Sequence, residues 1–325
     1  MKTRILSILF FVYSFCTAQN AISINDAHLS FSERWQQALS QMDGAGTIIY
    51  AIEKSNSQHH SSAEKLTIFN LLDLEEGQAK QYTFFVFKID KQGELFKMTI
   101  ADSHSRIEPE NTVYWLGKVD MAPSLDHLIS NFNKTKDKEL RKDLVTAVGV
   151  HPGSKQSLEF LAGIIEKYPD SLAKEAVFWV GVQNMPEGVD VLLNTLNTNY
   201  SQDVKEKVVF ALHLMDSDRA TQELILLARK APEKSIRKKA LFWLGVQATE
   251  NVGDLLEETA FQDPETELQK HAVFALSQLD PDRALPRLQK IAREHPNISI
   301  RKKAIFWIGQ SDDDRAVDII TSLLK

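Results

Sequence analysis

The sequence predicts a mainly α chain, a solenoid of about seven stacked helix pairs behind a small N-terminal β-rich domain. Phe178, Phe210, Phe242, Phe274 and Phe306 fall 32 residues apart without a slip in register. A fixed period in the 20–50 range is the signature of a repeat solenoid. A slower beat lies on top: Trp179, Trp243 and Trp307 recur every 64 residues, while Ala211 and Ala275 take the tryptophan's place between them. The array therefore reads as a two-unit module copied again. Upstream, runs of alternating and apolar residues between Gly46 and Ile100 read as strands.

The N-terminus is read apart from the fold. Lys2 and Arg4 precede an apolar run, Ile5 to Phe15, and Cys16-Thr17-Ala18 supplies a small-residue cleavage site. Residues 1–18 thus read as a secretory signal peptide, which implies a periplasmic or secreted location. Phe15 before Cys16 argues against lipidation, where a small residue is expected. Cleavage after Ala18 would leave no cysteine, so no disulfide or thiol chemistry is expected. It would also remove two of 38 basic residues against 44 acidic ones, moving the net charge from −6 to 36 − 44 = −8. That balance argues against general nucleic-acid binding. No later stretch is long and apolar enough to suggest a membrane span.

Residues 19–108 are expected to form the small, mainly β cap. Ser32 to Met42 reads as a short helix, and strands are expected over 47–52, 66–72, 81–89 and 94–100. Asp90-Lys91-Gln92-Gly93 is the turn of a hairpin. Ser55 to Ala63 reads as a polar loop. Residues 109–325 are expected to be the solenoid, with Tyr114-Trp115-Leu116-Gly117 as the first Phe-Trp-x-Gly signature and Thr146-Ala147-Val148-Gly149 as the next. In each unit two amphipathic helices are expected, such as Ser235 to Gly245, stopped by its glycine, and Asn251 to Phe261. Asp216, Asp280 and Asp312 suit N-caps.

Ile236-Arg237-Lys238-Lys239-Ala240-Leu241-Phe242-Trp243-Leu244-Gly245, matched again from Ile300 to Gly309, resembles the HEAT-repeat superfamily, particularly its short-unit, phycobilisome-lyase-like bacterial branch. The β segment ahead of the repeats is similar to exported bacterial HEAT proteins. The resemblance implies a right-handed α-solenoid of about seven HEAT-like helix pairs, with this helix lining the concave side. It is nearly silent on activity. The sequence departs from the family pattern where a polar residue is usual, carrying phenylalanine in five successive units, and where alanine is usual, carrying tryptophan in alternate ones.

Two readings of the aromatics stay open. They form a binding ladder on a groove, or they fill gaps between units, with tryptophan against alanine as large against small. Lys238 and Lys302 recur beside them and would grip acidic groups on a partner, or be plain solvated charges. The Asp-rich turns before Arg219, Arg283 and Arg315 lack the glycine and closing glutamate of a calcium loop. His59-His60 lacks partners at metal-ligand spacing, and no nucleophile, zinc, phosphate or dinucleotide motif occurs. The expectation is a non-enzymatic scaffold binding a protein or peptide through Phe178, Phe210, Phe242, Phe274, Phe306, Lys238 and Lys302, without cofactor, catalytic residue or metal. The alternative is an envelope signalling component coupled to a membrane-bound regulator. The apolar last helix, 315–325, with Val317, Ile320 and Leu324 on one face, leaves a homodimer open.

Overall fold

The computed structural model describes residues 21–54, 81–102, 105, 111–168, 171–248 and 252–323. The expected signal peptide, the 66–72 strand, the 55–63 loop, His59 and His60 lie outside these. The chain divides into two compact units, Met1–Asp143 and Leu144–Lys325.

The first unit is built on a five-stranded sheet in the order β1-β5-β2-β3-β4. Its strands are β1 (Ile22–Ser23), β2 (Gly46–Glu53), β3 (Tyr82–Ile89), β4 (Leu95–Ala101) and β5 (Val113–Lys118). β2 and β3, and β3 and β4, pair antiparallel, whereas β5 runs parallel to both β1 and β2. The β3–β4 hairpin turns at Asp90, whose Oδ1 accepts from the amides of Gln92 (2.8 Å) and Glu94 (2.9 Å), and Gly93 takes φ +80°. β2 is apolar on consecutive positions because both sheet faces are buried. On one face Ile49, Ala51, Phe84, Val86, Val113 and Trp115 form a cluster. On the other, Tyr50, Phe85 and Phe87 meet Phe31 and Trp35 of α1 (Phe31–Gln41) and His127 of α2 (Met121–Lys134). A full capping box at Ser30 and Glu33 starts α1. The buried Tyr50 hydroxyl lies 2.8 Å from Ser124 Oγ, and burial pushes its ionisation well above the usual range.

Two expectations are corrected here. Tyr114-Trp115-Leu116-Gly117 is not a helix signature but the middle of β5, and its Gly117 has φ +79°, outside helical geometry. The repeat register therefore starts one unit later than the sequence suggests. The first unit also runs past residue 108, because β5 completes the sheet and α2 packs Ser124 and His127 against it.

The second unit carries two helical layers. One holds the Phe-Trp/Ala register: α3 (Lys138–Val150, whose first turns precede Leu144), α5 (Ser171–Gln183), α7 (Gln202–Leu214), α9 (Lys234–Gln247), α11 (Thr266–Leu276) and α13 (Ile298–Gly309). The other holds α4 (Lys155–Lys167), α6 (Gly188–Leu196), α8 (Asp218–Lys230), α10 (Val252–Gln262), α12 (Pro281–Glu294) and α14 (Arg315–Leu323). The described residues thus place six helix pairs in the register. Neighbours in the first layer pack more closely than neighbours in the second. Each helix buries one stripe, as Ile236, Ala240, Leu241 and Leu244 do in α9, and no helix could bury that stripe without the next pair.

The 64-residue beat is a packing rule. Each position two residues after the tryptophan/alanine slot faces that slot in the following unit. A Cβ on Gly181 would lie 2.6 Å from the Ala211 carbonyl oxygen, and one on Gly245 2.8 Å from that of Ala275. Glycine against alanine thus lets those helix backbones approach. The tryptophans instead cover Gly149, in the case of Trp179, or stack on His213, in the case of Trp243, with ring centroids 4.6 Å apart. Gly245 consequently does not stop its helix: α9 runs to Gln247 and ends at Ala248 in the left-handed region (φ +51°). Asn184, one module earlier, also has φ +51°.

The second layer is laced between pairs by ion pairs: Arg229–Glu258 (2.9 Å), Arg287–Asp254 (2.6 Å), Lys290–Glu257 (2.5 Å), Arg315–Asp282 (2.7 Å) and Arg219–Asp190. The Asp-rich turns serve these pairs and local caps. The caps differ from those expected, since Ser217 rather than Asp216 caps α8, Asp280 makes no side-chain cap bond, and Asp313 rather than Asp312 accepts from the Arg315 amide. In α14, Ala316 faces inward and Val317 is 69% exposed, so Val317 leaves the apolar face assigned to it, while Leu324 lies outside the described residues.

Candidate functional site

The five phenylalanines project from α5, α7, α9, α11 and α13 onto one surface of the first layer. Phe178, Phe210, Phe242 and Phe274 are half-buried and Phe306 is 50% exposed. Their rings form a continuous row with the tryptophans. Phe178 stacks on Phe210 at 6.2 Å, and Phe210 meets Trp243 at 4.7 Å. Phe242, edge-on to Trp243 at 4.8 Å, stacks on Phe274 at 5.9 Å. Phe274 meets Trp307 at 5.0 Å, and Phe306 stands edge-on to Trp307 at the same separation. The row repeats by module because each stacked Phe pair spans a glycine–alanine contact, where the helices come close. Trp179 is buried, whereas Trp243 and Trp307 are half-buried.

Cations flank the row, and their state changes along it. In the first half they are committed. Lys174 pairs with Asp203 (3.1 Å), Lys205 with Glu233 (2.8 Å) and Lys239 with Glu206 (3.2 Å). Lys207 Nζ sits 4.7 Å and 4.8 Å from the Phe178 and Phe210 centroids. Burial lowers its pKa, with Glu175 opposing the shift. Farther on, Lys238 and Lys302 make no ion pair among the described residues, and Lys303 is held only over the Phe306 and Trp307 rings at 5.2 Å and 5.1 Å. Burial, then Lys238, then the nearby Lys239 and Lys303, hold His271 below the usual imidazole range, against Glu267. The neighbouring arginines are structural: Arg237 pairs with the buried Asp263, and Arg301 donates to the His295 carbonyl at 2.8 Å.

Two concavities open on this surface. One of about 680 Å³ is lined by His271, Phe274, Lys302, Lys303, Phe306 and Trp307, together with the Glu267–Lys270 pair. The other, about 350 Å³, is lined by Phe242, Lys238, Lys239, Ser235, Glu206 and His271. The first falls within the size range of small-ligand pockets. The structure thus groups Phe242 with Lys238, and Phe274 and Phe306 with Lys302, while Phe178 and Phe210 lie farther along the row.

His271 and Lys303 were not among the residues that the sequence assigned to the site. Both occupy the slot four residues before the tryptophan or alanine, which runs Glu175, Lys207, Lys239, His271, Lys303. In that slot Glu175 Oε1 accepts from Trp179 Nε1 at 2.8 Å. Lysine cannot accept, and the Trp243 and Trp307 indole N–H groups are left without a partner. The signal was available as the change from acid to base along one column. No group of three or more His, Cys, Asp or Glu among the described residues could hold a metal ion, and no helix there is long and apolar enough to cross a membrane.

Residues 253–325 match the family HEAT repeats. No curated protein matches. Among solved structures, a chain of the CpcE–CpcF complex of phycocyanin lyase from Nostoc sp. PCC7120 is 20% identical, covering 49% of this chain and 100% of that one, with a TM-score of 0.36. Escherichia coli YibA is 17% identical over 63% of this chain and 76% of its own, with a TM-score of 0.38. Human deoxyhypusine hydroxylase in complex with glycerol is 13% identical over 62% and 86%, with a TM-score of 0.27. At these scores the likenesses assign no activity. The family match, falling on the 32-residue register, supports a HEAT-repeat protein.

Proposed function

We propose that the chain is a non-enzymatic scaffold that binds a protein or peptide along the aromatic face of α5 to α13, acting in the periplasm or outside the cell. One observation carries this reading: an unbroken row of aromatic rings left half-buried or exposed along one surface of the first layer. Exposed contiguous apolar surface marks an interaction site, and aromatics are the residues that dominate binding hot spots. The closer packing of this layer suits the concave side of a solenoid. The export reading rests on the sequence of residues 1–18.

The test is the Phe242→Ala plus Phe274→Ala variant, assayed for partner capture by cross-linking in native envelopes. Losing a half-buried stacked pair costs about 2–4 kcal/mol, so capture is compared at 25 °C after circular dichroism confirms the fold. Loss of a captured protein, with capture retained by a Leu226→Ala control on α8, is the expected result. Equal capture by both variants would remove the face from the function.

A further inference from the structure

The chain carries a net −6, yet the concavity of about 680 Å³ on the aromatic face is lined by Lys270, Lys302 and Lys303 against one carboxylate, Glu267. Lys302 is exposed there without an ion pair among the described residues, and Lys238 lines the adjoining concavity, which shares His271. Among the described residues Lys303 lies over the Phe306 and Trp307 rings and makes no ion pair. Of the carboxylates at this end, Glu267 already bridges to Lys270 at 2.9 Å. Lys302 and Lys303 thus stand beside an apolar floor of Phe274, Phe306 and Trp307, and neither makes an ion pair among the described residues, the one carboxylate of the lining, Glu267, being bridged to Lys270. In the first half of the same row, Asp203, Glu206 and Glu233 already neutralise the lysines. The asymmetry is local and follows neither composition nor the repeat, since the repeat supplies the same slots to both halves.

We propose that the cleft between α11 and α13 takes an acidic peptide segment bearing an aromatic side chain, with the ring against Phe274, Phe306 and Trp307, its carboxylates at Lys302 and Lys303, and its continuation in the adjoining concavity at Lys238. This rests on the scaffold reading above and adds the chemistry of the partner and the half of the row that holds it. Complementary charge at such a rim sets specificity and association rate more than total affinity. It also makes binding sensitive to salt. His271 reports occupancy independently: it lines both concavities, and burial, Lys238, Lys239 and Lys303 depress it against Glu267, so a carboxylate seated at Lys303 or Lys238 raises its titration midpoint.

The experiment uses the full chain and three fluorescein-labelled peptides: one phenylalanine amid four glutamates, the same with four glutamines, and the acidic peptide with glycine for phenylalanine. The acidic aromatic peptide is expected to bind roughly tenfold tighter than either of the others. Lys302→Glu should weaken it by about tenfold. Lys155→Glu, a site 89% exposed on α4 with the same change in net charge, should leave it nearly unaltered. Binding should also move the His271 proton resonances to a higher titration midpoint. Equal binding of the glutamine peptide, equal effects of the two lysine variants or an unmoved His271 would each overturn the charge assignment, while leaving the aromatic scaffold intact. Failure of all three peptides overturns the assignment too. If, in addition, capture is insensitive to Phe242→Ala plus Phe274→Ala, the scaffold reading falls with it.

Discussion

Gly181→Ala is expected to destabilise the second unit by about 2–4 kcal/mol, whereas Gly163→Ala should stabilise it by roughly 0.5–1 kcal/mol. Both glycines lie inside helices, so helix propensity favours alanine at each. The difference is what the new methyl meets. At Gly181 it would sit 2.6 Å from the Ala211 carbonyl oxygen and 2.8 Å from its Cα, atoms of a neighbouring backbone that cannot turn aside. At Gly163 it would meet nothing within 4 Å. Gly245, 2.8 Å from the Ala275 carbonyl oxygen by the same construction, should follow Gly181. Urea midpoints for the three variants check this. Equal, mild effects at all three would mean that the glycine–alanine contact does not set the helix spacing, and the explanation of the 64-residue beat would go with it.

Acid should begin to destabilise both units below about pH 6.5, before the surface carboxylates titrate. His127 is enclosed by Phe31, Trp35 and Phe87, and burial pushes its pKa down to about 4, with Lys134 adding a smaller push. His151, fully buried beside the Ala147 carbonyl at 2.7 Å, is also pushed down to about 4 by burial, against the effect of that bond. A histidine with a lowered folded pKa supports the fold only while neutral. Its contribution is whole above the unfolded value near 6.5 and drains away as the pH falls toward 4. Each ring contributes about 3 kcal/mol on this basis, one in each unit, so both units weaken over the same window. His127→Phe keeps an aromatic in the cage and should remove roughly half of the loss between pH 7 and pH 4.5. Urea midpoints at those two values measure it, and an unchanged pH dependence in the variant would mean that His127 is hydrated and free to protonate.

The solenoid was legible in the sequence because repeat packing imposes identical demands at fixed intervals. Phe242 and Phe274 must occupy equivalent places for their helices to stack, so the register shows in the letters. Tyr114-Trp115-Leu116-Gly117 misled because four residues do not distinguish a helix from a strand. Pro109 and Gly117 were the available warnings, since a proline five residues ahead of the signature would fall inside the expected helix. The glycine at the end of each signature was read as a stop, its commonest local meaning, although its actual partner lies some 30 residues away in Ala211 or Ala275. Aspartate caps were misplaced by one residue for a similar reason, since Ser217 and Asp313 compete equally well for the same amides. The site was half legible. Aromatics and lysines could be named from the register, but which lysines are already neutralised depends on Glu206, Glu233 and Asp203, brought beside them from neighbouring helices.

The most direct test of the aromatic face places a photo-reactive benzoylphenylalanine at position 242 of the full chain, and separately at position 226, where Leu226 is 45% exposed on the opposite layer. Irradiation in intact cells should give a discrete polypeptide adduct from position 242 and none from position 226. Adducts of equal yield from both positions, or from position 226 alone, would contradict binding along the Phe178–Phe306 row.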